Sequence, residues 1–303
     1  DENSHRLEKF SSSGQALAVW GSPGSQPGQF NFPTNVATDQ QGNVYVSDQN
    51  NHRLQKLSPS GQILAVWGSP GTAPGQFNYP AGLAVDGQGN VYVADQNNHR
   101  IQKLSPAGQS LAVWGSQGSA PGQFDYPAGV ALDQQGNVYV ADQDNHRVQK
   151  LSPAGAPLTV WGSQGSGPGQ FYFPSALVLD AQGNVYVADT RNHRIQKLSP
   201  SGQVLAIWGA PAAQPGLYHS PTGVATDAQG NAYVVDWDLD QVQKLSPSGE
   251  SLATWGGPGT QPGRFQHPSG LTVDRHGNVY VADTSNDRIQ KLSPSGQPLE
   301  AWG

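Results

Sequence analysis

Tryptophan returns every 47 residues in this chain. Trp20, Trp67, Trp114, Trp161, Trp208, Trp255 and Trp302 are each followed by glycine, and no insertion disturbs the spacing along 303 residues. A fixed period of this length means one supersecondary unit copied in tandem, with each copy burying its apolar face against the next. Six full copies span 21–67, 68–114, 115–161, 162–208, 209–255 and 256–302, and residues 1–20 carry a partial seventh. A closed array of this kind is expected to behave as one domain over 1–303.

One copy, residues 68–114, shows what the unit is. GSPGTAPGQFNYP is a connector whose Gly and Pro exclude a long helix or strand. AGLAVD is a short apolar run, and GQG turns the chain. NVYVAD alternates in the period of two that marks a strand, and QNNH is a polar loop. RIQKL, the SPAG turn and SLAVWG complete the unit. Four short antiparallel strands per 47 residues, with no helical periodicity, predict an all-β fold made of β-propeller blades.

The run DQNNHRIQKL, preceded by GNVYVA and by a P-x-G-[LV]-[AT]-[VLT]-D strand, resembles the NHL repeat. The resemblance covers essentially the whole chain. It implies a six-bladed β-propeller of near-identical NHL-type repeats, four antiparallel strands (A to D) per blade. The count agrees: the strand-A aspartate occurs six times (Asp39, Asp86, Asp133, Asp180, Asp227, Asp274), as does the strand-B aspartate. The outer pair occurs seven times, because SHRLEKFSSSGQALAVWG at 4–21 is a surplus copy. Both termini therefore compete for one blade. The loser is expected to lie on the first blade or to pair with another molecule, giving a monomer or a strand-swapped oligomer.

Net charge is −6 with a pI near 5.7. All seven lysines fall at one repeat position, which spreads them round the body, so nucleic acid and anionic membrane surfaces are not expected partners. No apolar run reaches the roughly 18 residues of a membrane span. The chain starts at Asp1 and lacks Met, which suggests a processed, excised or engineered form. With no cysteine the compartment stays open, secretion being mildly preferred.

In a propeller the B–C loops and D–A connectors share one face. The A–B and C–D turns on the opposite face barely vary between copies, whereas the near face diverges. Blade five departs furthest: Leu239-Asp240-Gln241 replaces Asn-His-Arg, Leu217-Tyr218 replaces Gln-Phe, and Trp237 is the one tryptophan off the period. Tyr218, His219, Trp237, Asp238 and Asp240, with Tyr172 and Arg191 of the fourth copy and Asp125 of the third, form the candidate ligand-binding patch. Aromatic rings beside carboxylates suit a sugar ring or a cationic group.

The periodic residues are expected to be structural. The tryptophans should pack blade on blade. The Asp95/Arg100 spacing, repeated in four other copies, reads as a clasp on the B–C loop. His5, His52, His99, His146 and His193 share one position, but equivalent sites on adjacent sheets stand roughly 10 Å apart or more, too far to share an ion held at about 2 Å. No catalytic set, metal site or cofactor is expected. The leading expectation is a non-enzymatic binding scaffold with a protein, peptide or glycan ligand. The resemblance also extends to six-bladed lyases and lactonase-like hydrolases with a divalent metal in the channel, but Asn35, Thr226, His219 and Asp238 form no match to their ligand sets. The third reading is a designed or recently amplified propeller without a ligand.

Overall fold

A computed structural model describes residues 5–10, 16–209, 218–274 and 276–302. The chain clusters into two units, Asp1–Val160 and Trp161–Gly303. Each of the six full copies folds as one four-stranded sheet in the order A-B-C-D. Blade two is representative, with strands Pro80–Val85, Val91–Asp95, Arg100–Leu104 and Ser110–Trp114, all antiparallel. Strand B is buried along its length because it lies inside the sheet and between layers. This explains why NVYVAD tolerates apolar and small residues on both faces.

The first unit shows how successive blades pack. Tyr45, Leu54 and Trp67 of blade one meet Phe77, Leu83, Val91, Val93 and Leu104 of blade two in one apolar cluster. The Ser47 hydroxyl of blade one also donates to the Ala81 carbonyl at 2.6 Å. Trp67 lies over the C–D turn of blade two so closely that a Cβ at Gly108 would sit 2.2 Å from the indole. Gly108 has φ +82° as well, so space and backbone conformation both demand glycine there. Trp208 and Gly249 interlock in the same way in the second unit. The periodic tryptophan and the turn glycine are thus one device.

Two polar ladders hold each sheet's ends. In the A–B turn of blade two, Asp86 accepts the Gln88 and Asn90 N–H groups, the Asn90 amide and the Tyr92 hydroxyl. Lys103 reaches over the Tyr92 ring, its ammonium 4.9 Å from the centroid. Burial pushes the Tyr92 hydroxyl's pKa up. Blades one, three, four, five and six repeat this lysine-on-tyrosine contact. These six lysines are committed to the fold, which sequence spacing alone did not reveal.

The two terminal pairs do not exclude each other. Blade six keeps its own outer strand, Pro298–Trp302. The N-terminal strands β1 (Leu7–Phe10) and β2 (Ala16–Trp20) form a separate two-stranded sheet. Leu7, with Trp20 beside it, packs on Phe30, Val46 and Leu57 of blade one.

Candidate functional site

Every B–C loop is built on the aspartate that ends strand B. In blade two, Asp95 is fully buried. It accepts the Asn78 N–H at 2.7 Å, the Arg100 Nε at 2.7 Å, and the amides of Asn98 and Gln102. The remaining guanidinium nitrogens of Arg100 donate to the carbonyls of Thr72, Ala73 and Gln76. The pair therefore fastens the D–A connector as well as the B–C loop. Loop N–H groups also donate to connector carbonyls, as Gln96 does to Tyr79 at 3.3 Å, so loop and connector share one face.

The recurrent histidines close this arrangement. His52 and His99 sit in the left-handed region at φ 52°. Each Nδ1 accepts a connector N–H from the following blade, from Tyr79 and Tyr126 respectively, at 3.2 Å. His5 does the same for Phe32 at 2.9 Å. This occupation of Nδ1 gives His5, His52 and His99 a structural role. Among the described residues no three His, Asp or Glu side chains gather within reach of one metal ion.

Blade five solves the same problem with other groups. Asp236 is again fully buried, but Gln241 stands where the arginine would be. Its carboxylate accepts four backbone N–H groups instead: His219 at 2.5 Å, Ser220 at 3.0 Å, Leu239 at 3.1 Å and Asp238 at 3.2 Å. Asp240 takes the histidine's left-handed position at φ 54°, and its carboxylate accepts the His267 N–H at 2.6 Å.

With those duties transferred to backbone and Asp240, several side chains turn outward. His219 and Asp238 are exposed, with side-chain exposures of 64% and 39%, and pair Nδ1 to Oδ2 at 2.8 Å. The Ser220 hydroxyl donates to the same carboxylate oxygen. That hydrogen bond, then the His219 ring, holds the Asp238 carboxyl below its ordinary range, so it is an anion down to acid pH. His219 also stacks on His193 of blade four, centroids 5.2 Å apart. Trp237 stacks on His267 of blade six at 5.2 Å. Beside these, Arg191 lies over Phe173 at 4.2 Å, with Tyr172 edge-on to that ring.

The structure thus brings His219, Trp237, Asp238 and Asp240 together on the B–C side of the second unit, and gives Tyr172 and Arg191 a cluster on the same side of blade four. It removes Tyr218 from the patch. That residue is 4% exposed and lies in the core with Trp208 and Val224, filling the place phenylalanine holds elsewhere. Burial raises its pKa far above the ordinary tyrosine value. Asp125 belongs to blade three in the other unit, where one carboxylate oxygen lies 3.0 Å from the His99 ring. Leu217 lies outside the described residues. Sequence reasoning read His193 as one of the periodic histidines and left both it and His267, the stacking partners, out of the patch. Their only signal was position: one on the loop before blade five, one on the connector after it.

The NHL repeat profile matches residues 30–57, 77–104, 124–151, 171–198 and 265–292. The chain belongs to the NHL-repeat β-propeller family. Its fold is a six-bladed β-propeller with four antiparallel strands per blade. The matched segments omit the corresponding stretch of blade five, where Asn-His-Arg is lost. No curated protein matches this NHL propeller in sequence. Among solved structures it is similar to a streptogramin B lyase, with 15% identity and a TM-score of 0.71 over 89% of this chain and 82% of that one. It is also similar to a catalytically inactive virginiamycin B lyase from Staphylococcus aureus with quinupristin, with 14% identity and a TM-score of 0.72 over 89% and 83%. A protein of unknown function from Bacteroides caccae shares 13% identity at a TM-score of 0.58 over 82% of this chain and 89% of that one. At these identities the likeness concerns the fold.

Proposed function

We propose that this NHL propeller is a non-enzymatic binding scaffold whose ligand sits on the B–C side of blade five, between the loops of blades four and six. The observation that supports this most strongly is the exposed His219–Asp238 pair. It occurs in the copy that has lost the clasp, flanked by Trp237, His193 and His267. An anionic carboxylate beside imidazole and indole rings recognises a glycan hydroxyl edge or a cationic peptide side chain. Lining groups that are half exposed and already stacked change shape little on binding, which suits recognition by a preformed surface. A glycan and peptide array tests the proposal. Wild-type chain is expected to give discrete hits that a His219→Ala/Trp237→Ala double variant loses by at least tenfold. Hits that survive the double change contradict it.

A lyase is the second reading. The His219 ring held by Asp238 has the arrangement of a positioned proton acceptor, and two of the similar folds are lyases by name. Elemental analysis for bound divalent metal, followed by melting with and without chelator, separates this from the scaffold reading.

A further inference from the structure

The B–C side of blades four to six is one continuous strip. In blade four the Arg191 N–H donates to the Tyr172 carbonyl at 3.1 Å, and in blade six the Ser285 N–H donates to the Gln266 carbonyl at 2.9 Å. At the same two positions of blade five, the side chains of His219 and Asp238 pair. Stacking joins the neighbours, His193 on His219 and Trp237 on His267. The His267 Nδ1 lies 3.1 Å from the Ser285 hydroxyl. The strip therefore presents, in order, a guanidinium on blade four, a carboxylate on blade five, and neutral hydroxyl and amide groups on blade six.

Charge gives the strip a direction. Arg191 is exposed, and its guanidinium lies over Phe173 and Tyr172 without a hydrogen bond or ion pair to any described residue. The unit's other described arginines are already engaged. Arg194 and Arg288 clasp Asp189 and Asp283, and Arg264 donates to the Gly256 carbonyl. Lys197, Lys244 and Lys291 reach over tyrosine rings. Arg191 is thus a cation with its donor fork free and its position set by two rings, the arrangement that takes a carboxylate or sulfate oxygen pair. One blade further on, Asp238 and Asp240 repel such an anion, so an acidic group has one end of the strip to occupy.

The backbone of the strip argues against a peptide strand. Strand addition needs a row of free N–H and C=O groups. The N–H groups of Arg191, His219, Trp237, Asp238, His267 and Ser285 all donate within the protein. Outside the outer strands, Leu239 is the one large aliphatic side chain exposed among the described residues of this unit, which leaves a peptide no apolar anchor pocket. Recognition falls to polar side chains and ring faces, which suit hydroxyl groups. We propose, resting on the reading of this side as the ligand face, that the ligand is an oligosaccharide with a single anionic group, a uronate carboxylate or a sulfate ester. Its anion sits on Arg191, and its hydroxyls are read by His219, Asp238 and Ser285. An evenly charged polyanion fits poorly, because its inner charges meet Asp238 and Asp240.

The test is an array of matched glycan sets beside a peptide library. Each set holds a neutral oligosaccharide, the same chain ending in a uronate, and the same chain ending in a sulfated sugar. The protein is expected to favour an anionic arm over its neutral partner by about tenfold, the scale of one charge-assisted hydrogen bond, and the arm that gains identifies the anion. Arg191→Gln should abolish that preference and Arg191→Lys should restore part of it. Arg191 is exposed, so circular dichroism should show both variants folded. Equal binding of neutral and anionic arms overturns the inference, and so does a preference that Arg191→Gln leaves intact. Hits confined to peptides and lost in the His219→Ala/Trp237→Ala variant overturn it while keeping the scaffold reading. An array without hits defeats both.

Discussion

Blades two and five each bury a carboxylate at the end of strand B, and they neutralise it differently. Asp95 is met by a guanidinium whose other nitrogens hold the connector. Asp236 is met by four backbone N–H groups. The first solution spends its polar side chains on the fold. The second relies on backbone geometry and leaves His219, Asp238 and Trp237 facing solvent. Exposed polar and aromatic side chains gather where the repeat has found a substitute for its own clasp.

The contrast can be broken most severely at the tryptophans. Trp208 is 5% exposed within the core of blades four and five, and Trp208→Ala should cost ~3–5 kcal/mol by leaving a cavity. Trp237→Ala removes a half-buried ring from the surface and should cost about 1 kcal/mol or less. Denaturant titration of the two variants checks the ordering; equal losses would mean Trp237 is a packing residue.

Arginine replacement comes next. Arg100→Gln strands the buried Asp95 carboxylate and should destabilise by about 3 kcal/mol. The reverse change in blade five, Gln241→Arg, should alter the midpoint by less than about 1 kcal/mol, because Asp236 already has its donors. A large gain from Gln241→Arg would show that the four N–H groups leave the charge poorly satisfied.

The smallest expected effect is on the acid side and should not distinguish the two blades. Burial alone would raise the Asp133 carboxyl, but the Asn137 side chain and N–H and the Lys150 ammonium outweigh it, so its pKa lies below the ordinary 3.8. A lowered carboxyl stabilises the fold above its unfolded value, and that contribution disappears as pH falls through the folded value. Asp133→Asn should therefore flatten part of the acid limb below about pH 4 in a melting-temperature profile and leave the neutral region's slope unchanged. Asp142 has the opposite sign: burial raises its carboxyl, so protonation relieves a cost there.

The architecture was readable because a single period carried it. Trp-Gly marks the interlock, and NVYVAD marks the buried strand B. The N-terminal copy was also visible, but its resting place depended on side-chain packing of Leu7 against Phe30, Val46 and Leu57, which no local pattern specifies. The lysine period was read as diffuse charge, since nothing in the spacing shows a lysine reaching over a tyrosine of the neighbouring strand. In the candidate site, loss of Asn-His-Arg drew attention to blade five, where His219 and Asp238 are exposed and paired. Tyr218 was misplaced there because tyrosine and phenylalanine fill the same buried position. His193 and His267 were left out of the patch because stacking across blades joins residues 26 and 30 positions from their partners.

The claim at the centre is that blade five's B–C side is where this propeller meets its ligand. Backbone amide shift mapping with an array-selected glycan or peptide tests it most directly. Perturbations are predicted to concentrate at 219–220, 237–240, His193 and His267. Shifts confined to the A–B and C–D turns, such as 86–89 and 105–108, would contradict it.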